Sequence, residues 1–230
     1  MPLPFLLSVP HAGQQVPPEV QNLCILRKED IIDDMDKGAG EIYLPLKKDV
    51  AALVQTGVAR AIVDMNRGED DRSKDGIIKS HTCWDVPVYS ESLPKEIVNL
   101  LIKRYYRPYH ENLSRFSQRG IMLGIDCHTM AEFGPPVGPD PGAKRPRICL
   151  SNGEGTCPAE WIEFLADCLE ETIGSKVKIN KPFKGGYIIK LHARELPWVQ
   201  LELSREIFFS NEEKKDRLLR ALKAWCKRIS

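Results

Sequence analysis

Ile121-Met122-Leu123-Gly124-Ile125-Asp126-Cys127-His128-Thr129 is a short apolar run that empties into an acid and a histidine. A run this short and this apolar reads as a fully buried strand of the kind found inside parallel sheets. Side chains alternate along a strand, so Asp126 and His128 share one face and Cys127 takes the other. A histidine with a carboxylate beside it at a strand end is what a metal-bound imidazole or a catalytic base requires. Alone, the pair is equally consistent with a structural hydrogen bond. Its weight comes from other apolar runs that end the same way.

Leu3 to Val9 reads as a strand stopped by Pro10 and followed at once by His11-Ala12-Gly13. Ala59 to Val63 reads as a second strand, leading into Asp64-Met65-Asn66-Arg67-Gly68, and Trp198 to Leu203 as a late strand carrying Glu202. Further short strands are expected at Ile148 to Leu150 and Tyr187 to Leu191, with Val177 to Ile179 leading into Asn180 to Gly186. A helix is expected from Leu46, with Leu46, Val50, Leu53 and Val54 on one side and Gly57 as its stop. Another opens near Pro94, with Ile97, Leu101 and Tyr105 at four-residue spacing and a kink or break where Pro108 precedes Tyr109-His110. A third is capped by Thr156, ends at Gly174 and buries Trp161, Phe164, Leu165, Cys168 and Leu169. The last opens at the capping box Ser210-x-x-Glu213 and buries Leu218, Leu222, Trp225 and Ile229. Acid-rich Glu29 to Asp36 reads as a loop or a partly exposed helix end. Residues 134 to 146, with five prolines and three glycines, form a loop and a candidate lid.

Strands alternating with helices imply an α/β fold, a three-layer sandwich whose largely parallel mixed sheet is covered by helices on both faces. A single domain over 1–230 is expected. Ligands of such sheets bind beyond the carboxyl ends of the strands. His11, Asp64, Asn66, Arg67, Asp126, His128 and Glu202 all arrive at that rim.

Composition narrows the function classes. With 42% hydrophobic and 28% charged residues, the 230-residue chain can bury a substantial core. The 33 basic and 32 acidic residues leave a net charge of +1, so no overall field favours nucleic acid or an anionic membrane. No apolar run approaches the roughly 20 residues of a membrane span. The N-terminus lacks the basic and long apolar regions of a secretory signal. Seven cysteines, with no Cys-x-x-Cys, fit free thiols in a reducing cytoplasm.

Two imidazoles and one carboxylate make a common catalytic zinc set with an open position for water. A metal there lowers the pKa of water, and a nearby glutamate can take the proton. Arg67 offers a two-pronged donor for a substrate carboxylate, with Asn66 beside it. Plainer roles compete: hydrogen-bonded core histidines, Glu202 as the outward residue of an edge strand, or Arg67 paired only with Asp64 or Asp70. A cysteine hydrolase built on Cys127 is disfavoured, because alternation turns that thiol away from His128. The remaining alternative is a metal-free, non-catalytic relative acting as a binding module.

Several segments occur in a familiar order: Ser8-Val9-Pro10-His11-Ala12-Gly13; Asp34-Met35-Asp36 followed by Ile42-Tyr43; Ile62-Val63-Asp64-Met65-Asn66-Arg67; Tyr106-Arg107-Pro108-Tyr109-His110; Asp126-Cys127-His128-Thr129; Asn180-Lys181-Pro182-Phe183-Lys184-Gly185-Gly186-Tyr187; and Gln200-Leu201-Glu202. In this order they resemble the N-formylglutamate amidohydrolases, from about residue 7 to 209. That family is similar in fold to the zinc carboxypeptidase and aspartoacylase group. The resemblance implies one zinc ion per chain, held by His11, His128 and an acid of Asp34-x-Asp36, with Asp36 favoured and Asp34 behind it. It implies Asn66 and Arg67 as the grip on a substrate α-carboxylate, Glu202 as general base and Asp126 as the residue orienting His128. His110 joins Glu202 as a catalytic candidate, and Asn180, Gly185, Gly186 and Tyr187 as a substrate-binding loop. The implied substrate is a small molecule with a free carboxylate. Where the family commonly carries an aromatic, a histidine and an acid after Asp36, this chain has Lys37, Gly38 and Gly40. The reaction type is therefore more firmly implied than the substrate.

Overall fold

Chain direction and pleat decide where the polar strand ends go. The computed structural model describes residues 1–117, 120–153 and 155–229. Its strands are β1 (Leu3–Val9), β2 (Val50–Gln55), β3 (Leu123–Met130), β4 (Ile148–Ser151), β5 (Val177–Ile179) and β6 (Trp198–Ser204). They form one sheet in the order β2-β1-β3-β6-β4-β5. β2, β1, β3 and β6 run parallel, while β4 pairs antiparallel with β6 and carries β5 parallel to itself. The sheet is thus largely parallel and mixed, as expected.

Helices cover both faces. They are α1 (Lys28–Asp34), α2 (Ala39–Tyr43), α3 (Lys95–Leu101), α4 (Arg107–Ser117), α5 (Ala159–Ile173), α6 (Tyr187–His192) and α7 (Asn211–Ile229). On one face Phe5, Leu7, Ile125, Cys127 and Leu201 pack with Ile42, Leu165, Leu218 and Trp225. On the other, Leu6, Val54 and Trp198 pack with Leu101, Tyr109, Leu113 and Ile188. All eight residues of β3 are buried. Gly124 lies opposite Trp198, and a Cβ there would sit 2.3 Å from the indole, so only glycine admits that ring.

Four expectations are corrected. Residues 46–54 are not a helix: a 3₁₀ turn, Leu44–Lys48, closes with Asp49 N–H on Leu46 O, and β2 follows. Val50, Ala52 and Val54 alternate inward along this edge strand, a period that the helical spacing of the leucines and valines had masked. Ala59 to Val63 is a buried turn rather than a strand: Val58 makes a single bridge to Gln15, and then Ile62 and Val63 both donate to Ala59 O. Tyr187 to Leu191 lies in α6, whose buried residues Ile188, Ile189 and His192 follow helical spacing. Thr156 caps no helix; its hydroxyl donates to Asn152 O and Trp198 O, and Pro158 takes the N-cap of α5.

Pro108 produces no break. A π turn, Ile102–Tyr106, joins α3 to α4 just ahead of it. Proline has no N–H to donate to the preceding turn, and the wider turn accommodates that missing bond. The Ser210–Glu213 capping box forms reciprocally, with Glu213 N–H on Ser210 Oγ at 3.2 Å and Ser210 N–H on Glu213 Oε2 at 3.0 Å. Acid-rich 29–36 is largely α1. Among the described residues, no helix is long and apolar enough to cross a membrane.

Candidate active site

β1 ends at Val9, and two residues later His11 turns over the sheet. Asp36 follows α1 and is tied to that strand end by its own N–H, which donates to His11 O at 3.1 Å. His128 comes from β3. These three side chains, all buried, bring one ligand atom each to within 4.8 Å of the others. His128 Nδ1 lies 2.9 Å and His11 Nδ1 3.5 Å from Asp36 Oδ2.

The opposite nitrogen of each ring is held by a second aspartate. His128 Nε2 lies 2.8 Å from Asp126 Oδ2, and His11 Nε2 lies 2.8 Å from Asp64 Oδ1. Each buried carboxylate thus fixes one imidazole and leaves Nδ1 directed at Asp36, the usual support of a metal-binding histidine. Asp126 is itself fixed, accepting from Ser8 Oγ at 2.8 Å. Two imidazoles and a carboxylate with open space beside them suit a zinc ion.

The charges are mutually balanced. Burial raises Asp36, but His11 and His128 outweigh it and hold that carboxyl well below the usual range. Asp64 is held low in the same way by His11, Arg67 and Lys79 against its own burial. Burial disfavours the charged form of His128, yet Asp126 and Asp36 raise it well above the ordinary imidazole value. Glu202 lies opposite His128 in the β3–β6 register. Its burial, with the nearby Asp36 and Asp126, pushes its carboxyl up to about 7 against the pull of His128. Gln200 Nε2 donates to Glu202 Oε1 at 2.9 Å, and Gln200 Oε1 in turn accepts from Gly186 N–H at 2.6 Å.

A cavity of about 450 Å³ opens over this cluster, lined among others by Asn66, Arg67, Gly185, Gly186 and Glu202. Asn66 Nδ2 lies 3.2 Å from both Asp126 Oδ2 and His128 Nε2, and its Oδ1 accepts from Ile188 N–H. Arg67 pairs with neither Asp64 nor Asp70. Its Nε donates to Asp75 O, its Nη2 to the Asp75 carboxylate and its Nη1 to Asn66 O. Three of the five guanidinium N–H groups are therefore used, leaving one on each Nη. Asp75 is also bonded by Lys79, a fully buried cation whose Nζ lies 3.5 Å from Asp64 Oδ2.

Not every candidate joins this cluster. Asp34 is buried but turns its Oδ1 to Cys83 N–H at 2.7 Å. Asn180 pins the 152–153 turn, accepting from both backbone N–H groups. His110 and Tyr187 line a second cavity of about 500 Å³ behind the Asn66–Arg67 turn. Cys127 faces the opposite side of the sheet, and burial drives its thiol pKa well up, which removes the cysteine-hydrolase alternative.

Two further side chains support the cluster in ways that local sequence does not show. Asp64 was read as a rim residue, yet it is the anchor of His11. Arg205, just past β6, donates to Met35 O at 2.7 Å and lies 3.4 Å from Asp36 Oδ1, bracing Asp36. Its position after a strand end was the only available signal. Gly38 explains part of the departure from the family pattern: at φ +82° it starts α2 in the left-handed region, where a side chain is strained.

The N-formylglutamate amidohydrolase family model matches residues 3–209. The chain belongs to that family. Among its relatives, the N-formylglutamate deformylase of Pseudomonas putida is 26% identical over 227 residues, covering 92% of this chain and 84% of that protein. The deformylase of Pseudomonas aeruginosa is 25% identical over 220 residues, with 88% and 81% covered. The crystal structure of N-formylglutamate amidohydrolase from Ralstonia eutropha superimposes with a TM-score of 0.76 at 22% identity, covering 99% of this chain and 93% of that one. A gene product of Agrobacterium tumefaciens gives 0.75 at 17% identity, with 99% and 91% covered. Both structures share the family's fold.

Proposed function

We propose that this family member is a zinc-dependent amidohydrolase. It hydrolyses the amide of an N-acyl amino acid, N-formylglutamate foremost, to the free amino acid and a carboxylic acid. The observation that carries this reading is the convergence of His11, Asp36 and His128, each histidine backed by its own aspartate, with Glu202 as the neighbour of His128 across the strand pair.

When bound there, a divalent metal supplies Lewis acidity toward water and the amide carbonyl. The chain's own groups do the rest. Arg67, held side-on by Asp75, keeps its outer pair of N–H groups for the substrate carboxylate, and Asn66 borders the same volume. Glu202 takes a proton from the attacking water as oxygen bonds to the acyl carbon. It then delivers that proton to the departing nitrogen as the C–N bond breaks. Gln200 holds Glu202 in place.

The test is amine release from a panel of N-formyl and N-acetyl amino acids by zinc-loaded protein, with chelator-treated protein alongside. Release from acidic N-formyl substrates, abolished by the chelator, is expected. A protein that holds stoichiometric zinc and releases amine from none of them would end the proposal.

A further inference from the structure

Behind the Asn66–Arg67 turn lies a polar network that touches none of the residues around the metal cluster except through backbone. Tyr106 and His110 stand four residues apart, across the junction of the π turn and α4, and so share a face. Tyr106 Oη donates to Arg67 O at 2.7 Å. His110 Nε2 lies 3.0 Å from Met65 O, which only accepts, so this nitrogen carries a proton. The two carbonyls that flank Asn66 are therefore each gripped by one side chain of the same helical run.

The remaining contacts fix the proton inventory. His110 Nδ1 faces His192 Nε2 at 3.0 Å, the rings stacked with an interplanar angle of 10°. His192 Nδ1 faces Glu195 Oε2 at 3.0 Å, and Glu195 Oε1 accepts from Ser114 Oγ at 2.6 Å. A carbonyl at one end and a carboxylate at the other both accept. One bond also joins the rings, so the pair holds three protons and one positive charge. Burial and the neighbouring His192 push His110 down to about 4. His110 is thus the neutral Nε2–H tautomer, with its Nδ1 accepting from His192 Nε2.

We infer that Tyr106 and His110 are positioning residues: they clamp the Arg67 and Met65 carbonyls, so that Asn66 stays against His128 and Arg67 faces the cavity. The His192–Glu195 pair locks the donor tautomer that His110 needs. This assignment rests on the reading of Asn66 and Arg67 as the substrate grip. It takes His110 out of the proton transfer itself.

Two measurements test it on the zinc-loaded protein. Nitrogen NMR of labelled histidine should find His110 protonated at Nε2 alone and His192 at both nitrogens; a proton on His110 Nδ1 with Nε2 bare would overturn the assignment. The side-chain amide signals of Asn66 should move in Tyr106→Phe and in His110→Ala. They should return in His110→Gln, whose amide can reoccupy the Nε2 donor position. Signals unmoved in both loss variants would also overturn it. In turnover of N-formylglutamate, Tyr106→Phe should raise KM roughly fivefold or more, the scale of one lost hydrogen bond, with kcat within about threefold. His110→Gln should recover most of what His110→Ala loses. A fall in kcat at unchanged KM would sink the positioning role. If wild-type protein hydrolyses no N-acyl amino acid, the proposed activity fails, while the NMR measurements still decide the clamp.

Discussion

His11 and His128 each spend one ring nitrogen on a buried aspartate, and that bond leaves the other nitrogen facing Asp36. Replacing Asp64 by Asn keeps the shape and removes the charge behind His11. We expect zinc affinity to fall about 10- to 100-fold, read by competition with a chromophoric chelator. Unchanged affinity would mean that Asp64 serves Arg60, Lys79 and the Asn66 N–H rather than the metal. Glu202→Gln should retain metal and lose roughly 10²–10⁴ in kcat, the usual contribution of a positioned base. More than about a tenth of wild-type kcat would remove Glu202 from the chemistry. His110 gives a pH effect of defined sign. Its pKa of about 4 lies below the ordinary imidazole value, so at intermediate pH the unfolded chain binds more protons than the folded one. Stability from this group is complete above about pH 6.5 and drains away as pH falls toward about 4. His110→Gln should flatten that acid limb by up to ~2–3 kcal/mol in denaturant titrations. An identical limb in both proteins would contradict it. The Asp126–His128 pair was legible in the sequence because two residues apart on a strand means one face. Asp64 behind His11 was not, since the pairing spans 53 residues and depends on a turn that no local pattern announces.

At the scale of elements, β3 and β6 are joined by a size match. Gly124→Ala would place a methyl carbon 2.3–2.5 Å from three atoms of the Trp198 ring, and neither partner can move inside a fully buried strand pair. We expect a loss of ~3 kcal/mol or more and a Tm lower by about 5–10 °C. Ser210→Ala removes one half of the capping box of α7 and should cost about 1 kcal/mol, or about 2–4 °C. Scanning calorimetry separates the two; equal small shifts would mean that the sheet absorbs the methyl. Long or strongly patterned elements such as β1, β3, β6, α5 and α7 could be read directly. β2 and α6 could not, since six-residue apolar runs fit a strand, a helix face or a buried turn equally well, and tertiary pairing chooses among them. The site survived these errors because Asp64, Asn66 and Arg67 reach the same rim from a turn as from a strand.

For the whole molecule, six of the seven cysteines, Cys24, Cys83, Cys127, Cys149, Cys157 and Cys168, are free thiols. Stability therefore rests on the two apolar layers, and we expect a strong reductant to leave Tm unchanged. A fall of more than ~10 °C would reveal a disulfide that stabilises the fold. The layered architecture was legible from alternation of element types alone. The reversal of β4 and β5 was not, because direction within a sheet is set by connection geometry that residue patterns do not encode.

The π turn ahead of Pro108 has a consequence for lineage and for engineering. A π turn holds one residue more than the α-helical turn it replaces, so deleting one residue of the Ile102–Tyr106 turn ahead of Tyr106 would restore a regular helix. The helices on either side would keep close to their present register, because the wider turn absorbs its extra residue locally. Tyr106 and His110 would keep their four-residue spacing and their hold on the Arg67 and Met65 carbonyls. A homologue with a one-residue gap at this point can therefore hold its Asn-Arg pair by the same clamp, on a regular helix.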